Sequence, residues 1–254
     1  MTITVNGLEL LAYLLASLRI VAWLSVVPPF STSSIPSMGK VVLALGLSFA
    51  VGPQLAGQVP TDSWELLVVA LTQVAIGLAM GFLTFLLFQA IPIAGALIDV
   101  MGGFATTQAW DPMAMNTNTV FGKFHQQIAT VLLFVSGGHL LVIGGLLKSF
   151  TLVPLGEIPD LDGAADVFSI AFSLMFTTAV QIALPMLAVL FVTDLALALL
   201  TKVAPQLNAL NVMYAAKIGL VLLLIGMSFP VLPEALSRIV DLANEASSTL
   251  LGGR

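Results

Sequence analysis

Six long apolar runs constrain the fold of this chain more than any other feature of its sequence. They occupy residues 8–27, 41–56, 66–98, 128–147, 167–200 and 212–232. A helix that crosses a bilayer needs about 20 apolar residues, and the first and fourth runs have that length. The runs do not alternate apolar and polar residues, as the strands of a membrane β-barrel do. We therefore predict an all-α fold with about six main hydrophobic helices.

Two prolines lie inside runs that are too long for one simple span. Pro92 lies in the third run and Pro185 in the fifth. Proline has no backbone N–H, and its ring clashes with the carbonyl one turn earlier, so it kinks or ends a helix. We predict kinks and breaks at Pro92 and Pro185.

The composition excludes an ordinary soluble domain. Of the 254 residues, 59% are hydrophobic and only 8% are charged, whereas soluble domains carry about 25% charged residues. Much of the surface must therefore face lipid or other protein chains. The net charge of -5 arises from few groups, and it offers no basic patch for a nucleic-acid partner.

The sequence gives no sign of an enzyme, a metal site or a cofactor. The chain contains no cysteine, so thiolate zinc sites are excluded. Neither a metalloprotease motif, a phosphate-binding glycine loop nor a nucleophile elbow is found. His125 and His139 stand apart from carboxylate pairs at metal-ligand spacing. We expect no catalytic residue, no metal and no cofactor.

Five charged residues lie within or beside the apolar runs, where charge is expensive. They are Arg19, Asp99, Asp194, Lys202 and Lys217. An arginine at the centre of a spanning helix costs at least about 2.5–3.5 kcal/mol on insertion scales. We expect these residues to be buried charges or interface residues, with Asp99, Asp194 or another subunit as the partner of Arg19. For Lys202, snorkelling from a helix end is an equal alternative.

A polar, almost uncharged segment divides the chain near its middle. It reads GGFATTQAWDPMAMNTNTVFG and covers residues 102–122. Non-helical backbone at membrane depth is tolerated only where it lines a cavity or is buried in protein. Two interpretations stay open at this point: a plug within a channel, and a plain surface loop between two helices.

Several stretches, in order and at their spacing, resemble the FliR family of the flagellar type III protein export gate, whose superfamily includes the T component of injectisomes. They are RIVAWLSVVPPFSTSSIPSMGKVVLALGLSFAV, ALIDVMGGFATTQAWDP, LLFVSGGHLLVIGGLLKSF and DLALALLTKVAPQLNALNVMYAAKIGL. The resemblance covers nearly the whole chain, from about Leu10 to Leu232. Two positions depart from the family pattern: Gln73 replaces an acidic residue, and Lys202 replaces an arginine.

The resemblance implies a single export-gate domain over residues 1–254, with a short tail at 234–254. It implies that the chain joins FliP-like and FliQ-like subunits in a gated channel for unfolded flagellar proteins, with FlhB-like and FlhA-like components nearby. The expected location is the bacterial inner membrane, as a multi-pass protein at the flagellar basal body.

The resemblance also implies that the central segment projects into the channel and plugs it when closed. Methionine side chains are flexible and fill irregular gaps, which suits a deformable seal. The candidate plug residues are Gly102, Gly103, Phe104, Gln108, Trp110, Asp111, Pro112, Met113 and Met115.

A secondary transporter for a small solute is the alternative function. Proline-broken helices and isolated charges would suit a binding site at the bilayer midplane. Such transporters often contain two repeated halves, and we find no convincing repeat in this sequence. The export gate is therefore the preferred interpretation.

Overall fold

The computed structural model describes residues 7–33, 35–104, 119–159, 162–203 and 209–253, with side chains of the last range from residue 215 onward. Within these ranges the regular structure is helical, which confirms the all-α prediction. The α-helices are α1 (Gly7–Val26), α2 (Ser37–Leu55), α3 (Ser63–Phe88), α4 (Ala90–Gly102), α5 (Val120–Val135), α6 (Gly138–Leu152), α7 (Ala164–Val203), α8 (Ala209–Leu224) and α9 (Val231–Leu250).

Four helical stretches of the described chain are long and apolar enough to cross a membrane, or up to six if two interrupted helix pairs each count as one span. One stretch joins α3 and α4 over Ser63–Gly102. The predicted number of about six main helices corresponds to the upper end of this range.

The two prolines have different outcomes. The break predicted near Pro92 is present: α3 ends at Phe88, α4 begins at Ala90, and Gln89 lies between them. Because Pro92 has no N–H, it leaves the carbonyl of Phe88, four residues earlier, without its helical donor. Pro185, by contrast, lies inside the continuous helix α7 and does not end it.

The chain forms two compact units. The first contains Met1–Phe88, Gly137–Phe172 and Val240–Arg254, and the second contains Gln89–Ser136 and Ser173–Ile239. Each unit draws on separate parts of the sequence, so neither is a continuous segment. The single export-gate domain over residues 1–254 stays a prediction.

In the first unit, helix α1 packs closely against α3. A Cβ atom at Gly77 would overlap the backbone oxygen of Arg19 and would lie 2.9 Å from Ala22 Cβ. One turn further on, a Cβ atom at Gly81 would lie 3.2 Å from Val26 Cβ and 3.3 Å from Trp23 O. The two glycines, spaced four residues apart, therefore let the helix backbones approach.

In the second unit, helix α4 packs against α5 by the same device. A Cβ atom at Gly95 would overlap the backbone oxygen of Phe121, and one at Gly122 would lie 2.9 Å from Pro92 O. A glycine from each helix thus faces the backbone of the other. This close contact brings together the two helices that flank the central segment.

Candidate functional site

Only the first residues of the predicted plug lie in the described part of the chain. Gly102 and Gly103 are buried, and Phe104 is half-buried. The other candidate plug residues lie outside the described residues; they are Gln108, Trp110, Asp111, Pro112, Met113 and Met115. The geometry of the site is therefore the geometry of the two ends from which the segment departs.

The first end is a sharp helix stop. Gly103 has φ 85°, in the left-handed region that glycine adopts without strain. The N–H of Phe104 donates to Asp99 O at 3.0 Å, and the N–H of Gly103 donates to Val100 O at 3.4 Å. These two bonds satisfy carbonyls that the last turn of α4 would otherwise leave unpaired. The chain therefore leaves α4 at a fixed residue and in a fixed direction.

The second end is capped by a side chain from the first. Asp99 is 1% exposed, and its Oδ2 accepts hydrogen bonds from the N–H groups of Phe121 at 2.9 Å and Gly122 at 3.3 Å. Both N–H groups belong to the first turn of α5, where no helical acceptor exists and the helix dipole favours an oxygen anion. Thr119, at the N-cap position, makes no side-chain capping bond. Asp99 therefore takes over the role of the N-cap residue.

An aromatic contact joins the same two ends. The rings of Phe104 and Phe121 meet edge to face, with their centroids 5.0 Å apart, an arrangement that aromatic pairs favour. We call the set Asp99, Gly103, Phe104, Phe121 and Gly122 the neck. The neck holds both ends of the central segment at one place.

A lysine reaches the same helix end from α8. Lys217 forms an ion pair with Asp194 of α7 and donates to Met101 O in the last turn of α4 at 3.4 Å. A cation at this position is favourable because the C-terminal carbonyls of a helix carry partial negative charge. Asp194 and Lys217 are both partly buried. Lys202, in contrast, is exposed.

His125 contacts the neck through Phe121. The sequence did not indicate it as a site residue. It is fully buried, with Nδ1 2.8 Å from Phe121 O and Nε2 3.1 Å from Ser228 Oγ. Phe121 is therefore held through both its N–H, by Asp99, and its C=O, by His125. The only signal in the sequence was a histidine in the first turns of α5, beside the polar residues Lys123, Gln126 and Gln127.

Arg19 occupies a separate polar cluster in the first unit. Its side chain is fully buried. Nε donates to Gln73 Oε1 at 2.7 Å, Nη1 to Ser149 Oγ at 3.1 Å and Nη2 to Val153 O at 2.9 Å. The guanidinium carbon lies 4.2 Å from the centre of the Phe150 ring, within cation–π range.

The prediction that Asp99 or Asp194 pairs with Arg19 is wrong. Within the described residues all three guanidinium nitrogens donate to neutral oxygens. Asp99 instead caps α5, and Asp194 pairs with Lys217. The physical reason is that a guanidinium carries its donors in several directions, so three neutral acceptors from different elements can replace one carboxylate.

Gln73 and Ser149 were missed as partners because neither is charged. Gln73 is fully buried, and its Nε2 also donates to Leu155 O at 3.3 Å. Gln58 Oε1 then accepts from the N–H of Leu155 at 3.1 Å. The chain of bonds from Arg19 to Gln58 ties α1, α3 and the turn after α6 together. The signal in the sequence was the departure of Gln73 from the acidic family pattern.

No group of three or more histidine or acidic side chains that could hold a metal ion is found in the described ranges. The groups gathered at the neck satisfy backbone donors and acceptors. Their hydrogen bonds hold the two chain segments together.

Comparison with known proteins identifies the family. The family model for "Bacterial export proteins, family 1" matches residues 10–243. Flagellar biosynthetic protein FliR of Escherichia coli K12 is 34% identical over 192 residues, which cover 75% of this chain and 74% of that protein. FliR of Aquifex aeolicus is 30% identical over 231 residues, covering 90% of this chain and 89% of that protein.

The similarity extends to proteins with other names. Secretion system apparatus protein SsaT of Salmonella typhimurium is 28% identical over 159 residues, covering 62% of this chain and 61% of that protein. The match to the family model spans all the helices described above from α1 into α9. The chain therefore belongs to the FliR family of bacterial type III export proteins.

Proposed function

We propose that this chain is a subunit of the flagellar export gate, and that residues 102–122 close its channel. The family membership supports a role in protein export, and four relatives that each match 90% or more of the chain are flagellar proteins. In this proposal FliP-like and FliQ-like subunits complete the channel, with FlhB-like and FlhA-like components beside it. The cargo is unfolded flagellar protein, the location is the inner membrane at the basal body, and the chain catalyses no reaction.

The observation that carries the plug proposal is the neck. A segment that closes a channel must be anchored firmly at its ends, because the anchors transmit the force of any passing polypeptide. The carboxylate of Asp99 bonded to two N–H groups of α5 provides such an anchor, as does the contact of Phe104 with Phe121. A plain surface loop needs no such buried attachment.

The closeness of the two ends also suits a plug. Both flanking helices are apolar, and their glycines bring them into backbone contact at Gly95 and Gly122. The two ends of the central segment therefore start from a narrow base. In this proposal the segment fills the channel and is displaced by a passing polypeptide while its base stays fixed.

The test is to shorten the segment without touching the neck. Deleting residues 108–117 removes Trp110, Asp111, Met113 and Met115 and leaves Gly103 and Phe104 in place. We expect higher ion conductance and small-solute uptake in cells that express the whole gate, since a shortened plug loses bulk. The gate should assemble at the normal level because the neck is intact.

A matched control separates the loss of plug bulk from a general loss of chain length. Replacing residues 108–117 by a Gly-Ser linker of equal length keeps the spacing but removes the bulky side chains. It should leak as the deletion does. If both variants assemble normally and neither leaks, the segment is a plain surface loop and the plug proposal fails.

A further inference from the structure

A polar groove lies between α6 and the end of α9 in the first unit. Its volume is about 430 Å³. The lining groups that matter here are Gly144, Lys148 and Ser149 of α6 and Asn244, Glu245 and Ser247 of α9. Neither the neck nor the proposed plug uses any of them, so this groove is a separate feature of the fold.

Two largely buried serine residues, Ser149 and Ser247, line the groove. Ser149 is 1% exposed, and Ser247 is 5% exposed. The oxygen of Ser149 accepts from Arg19 Nη1 at 3.1 Å, which leaves its own hydrogen free to donate. Among the described residues, neither hydroxyl donates to a protein acceptor, whereas the neighbouring Ser248 donates to Glu245 O at 2.8 Å. Both hydroxyls can therefore donate a hydrogen bond to a ligand in the groove.

The charges in the groove carry both signs. Lys148 and Glu245 line the same groove, yet within the described chain they do not form an ion pair with each other. Behind the groove, the guanidinium of Arg19 adds a second positive charge through its bond to Ser149. The positive charges lie on the α6 side and the carboxylate of Glu245 lies on the α9 side, while hydroxyl groups stand on both sides, Ser149 on α6 and Ser247 on α9. The complementary ligand carries an oxyanion and an ammonium group.

The rim of the groove is apolar and exposed. Leu140 and Leu141 of α6 are 63% and 58% exposed, and Asn244 Nδ2 donates to Leu141 O at 3.3 Å, which places this stretch beside the groove. A soluble anion gains nothing from an apolar rim, because it has no apolar surface to bury there. A lipid does, because its acyl chains need apolar surface next to the site that holds its headgroup.

We propose that this groove binds the phosphoethanolamine headgroup of a zwitterionic membrane lipid. The phosphate accepts hydrogen bonds from Lys148, Ser149 and Ser247, and the ammonium group lies at Glu245. Lysine is a common phosphate ligand, and hydrogen bonds between charged groups are the strong ones. The site is independent of the plug, so either proposal can fail without the other.

The binding test uses the full chain in detergent with two soluble short-chain lipids, dihexanoyl-phosphatidylethanolamine and dihexanoyl-phosphatidylglycerol. We expect saturable binding of the ethanolamine lipid, weakened about tenfold by Lys148→Gln, the ratio that 1.4 kcal/mol gives. Glu245→Gln should weaken binding of the ethanolamine lipid, and it should leave the affinity for the glycerol lipid unchanged or increase it. Lys123→Gln, an exposed lysine outside the groove, is the matched control and should bind as the parent does.

A second variant fills the groove without disturbing the helix. A Cβ atom at Gly144 would meet nothing within 4 Å, and leucine favours a helix more than glycine does. Gly144→Leu should therefore keep the thermal midpoint and abolish lipid binding. The proposal is overturned if Gly144→Leu still binds the lipid. It is also overturned if neither Lys148→Gln nor Glu245→Gln changes the lipid affinity.

Two further arms identify the source of the ligand. Inorganic phosphate and O-phosphoethanolamine should bind far more weakly than the lipid; equal affinity would make the groove a site for a soluble anion and overturn the lipid assignment. Because the chain contains no cysteine, Ser247→Cys gives this chain a single attachment point, which can be used in the assembled gate. Cross-linking of that position to a partner chain, in place of a lipid, would also overturn it.

Discussion

Removing the carboxylate of Asp99 should loosen the base of the central segment. Its Oδ2 accepts from two N–H groups of α5, at 2.9 and 3.3 Å. Loss of a capping side chain costs about 0.5–2 kcal/mol, and burial of the orphaned N–H groups raises the cost toward the range of about 1–3 kcal/mol for an unsatisfied group. For Asp99→Ala we expect the free energy that holds the neck together to fall by about 2–3 kcal/mol. This corresponds to roughly a 30- to 150-fold shift toward a state in which the bonds between Asp99 and α5 are broken.

Asp99→Asn tests whether charge or geometry holds the neck. The amide keeps one oxygen for the two N–H groups but loses the interaction of an anion with the helix dipole, about 0.3–1 kcal/mol. Its NH₂ group would occupy the place of Oδ1, which is buried and has no hydrogen-bond partner in the described part of the protein. We therefore expect Asn to lie between the parent and Ala.

Hydrogen–deuterium exchange of peptides covering residues 119–125 measures this directly. Exchange at Phe121 and Gly122 should be fastest in the Ala variant and intermediate in the Asn variant, while peptides from α1 should not change. Ion leakage through the assembled gate should follow the same order. Asp241→Ala, at an exposed acidic position, is the control. Unchanged exchange at Phe121 and Gly122 in Asp99→Ala would refute the capping role and the anchoring argument that depends on it.

Three further perturbations follow from the packing. Gly95→Ala should lower the thermal midpoint and the gate yield, because the added methyl group forces α4 and α5 apart at a cost of about 1–3 kcal/mol. Gly46→Ala is the control and should be neutral or stabilising, since an added Cβ there meets nothing within 4 Å. Equal behaviour of the two variants would contradict the close contact. Arg19→Ala should reduce gate yield and motility because three acceptors lose their donors, and Arg19→Lys should do less harm; normal yield in Arg19→Ala would show that the cluster is dispensable. Lys217→Met should impair motility more than Asp194→Asn, since the lysine also contacts the end of α4; the reverse order in a swimming assay would place the main role on Asp194.

The sequence predicted the kind of fold better than its contacts. Long apolar runs imply helices, because backbone groups in an apolar setting must bond within the segment, and the structure has helices there. Pro92 and Pro185 looked equivalent in sequence, yet only the first lies beside a break. A proline removes one helical bond, and the surrounding packing decides whether the helix continues.

The partners of the charges could not be read from the sequence. The position of Asp99 after an apolar run indicated an expensive charge, but its partners lie 22 and 23 residues away, across the central segment. The partners of Arg19 come from neutral residues 54 and 130 positions away. Such pairings depend on how separate helices are aligned in space, and helical periodicity does not encode that alignment.

The length of α7 bears on where this chain can reside. Its 40 residues have a contour of about 60 Å at 1.5 Å per residue, twice the roughly 30 Å thickness of the hydrocarbon layer. Even at a tilt of about 40°, the upper end of the observed range, the layer accommodates only about 26 residues. Some 14 residues must then extend beyond the lipid tails, although Leu195 and Leu199 near the C-terminal end of the helix are each 56% exposed. Neither water nor lipid headgroups cover such a surface favourably, so we expect neighbouring protein chains to cover this part of α7.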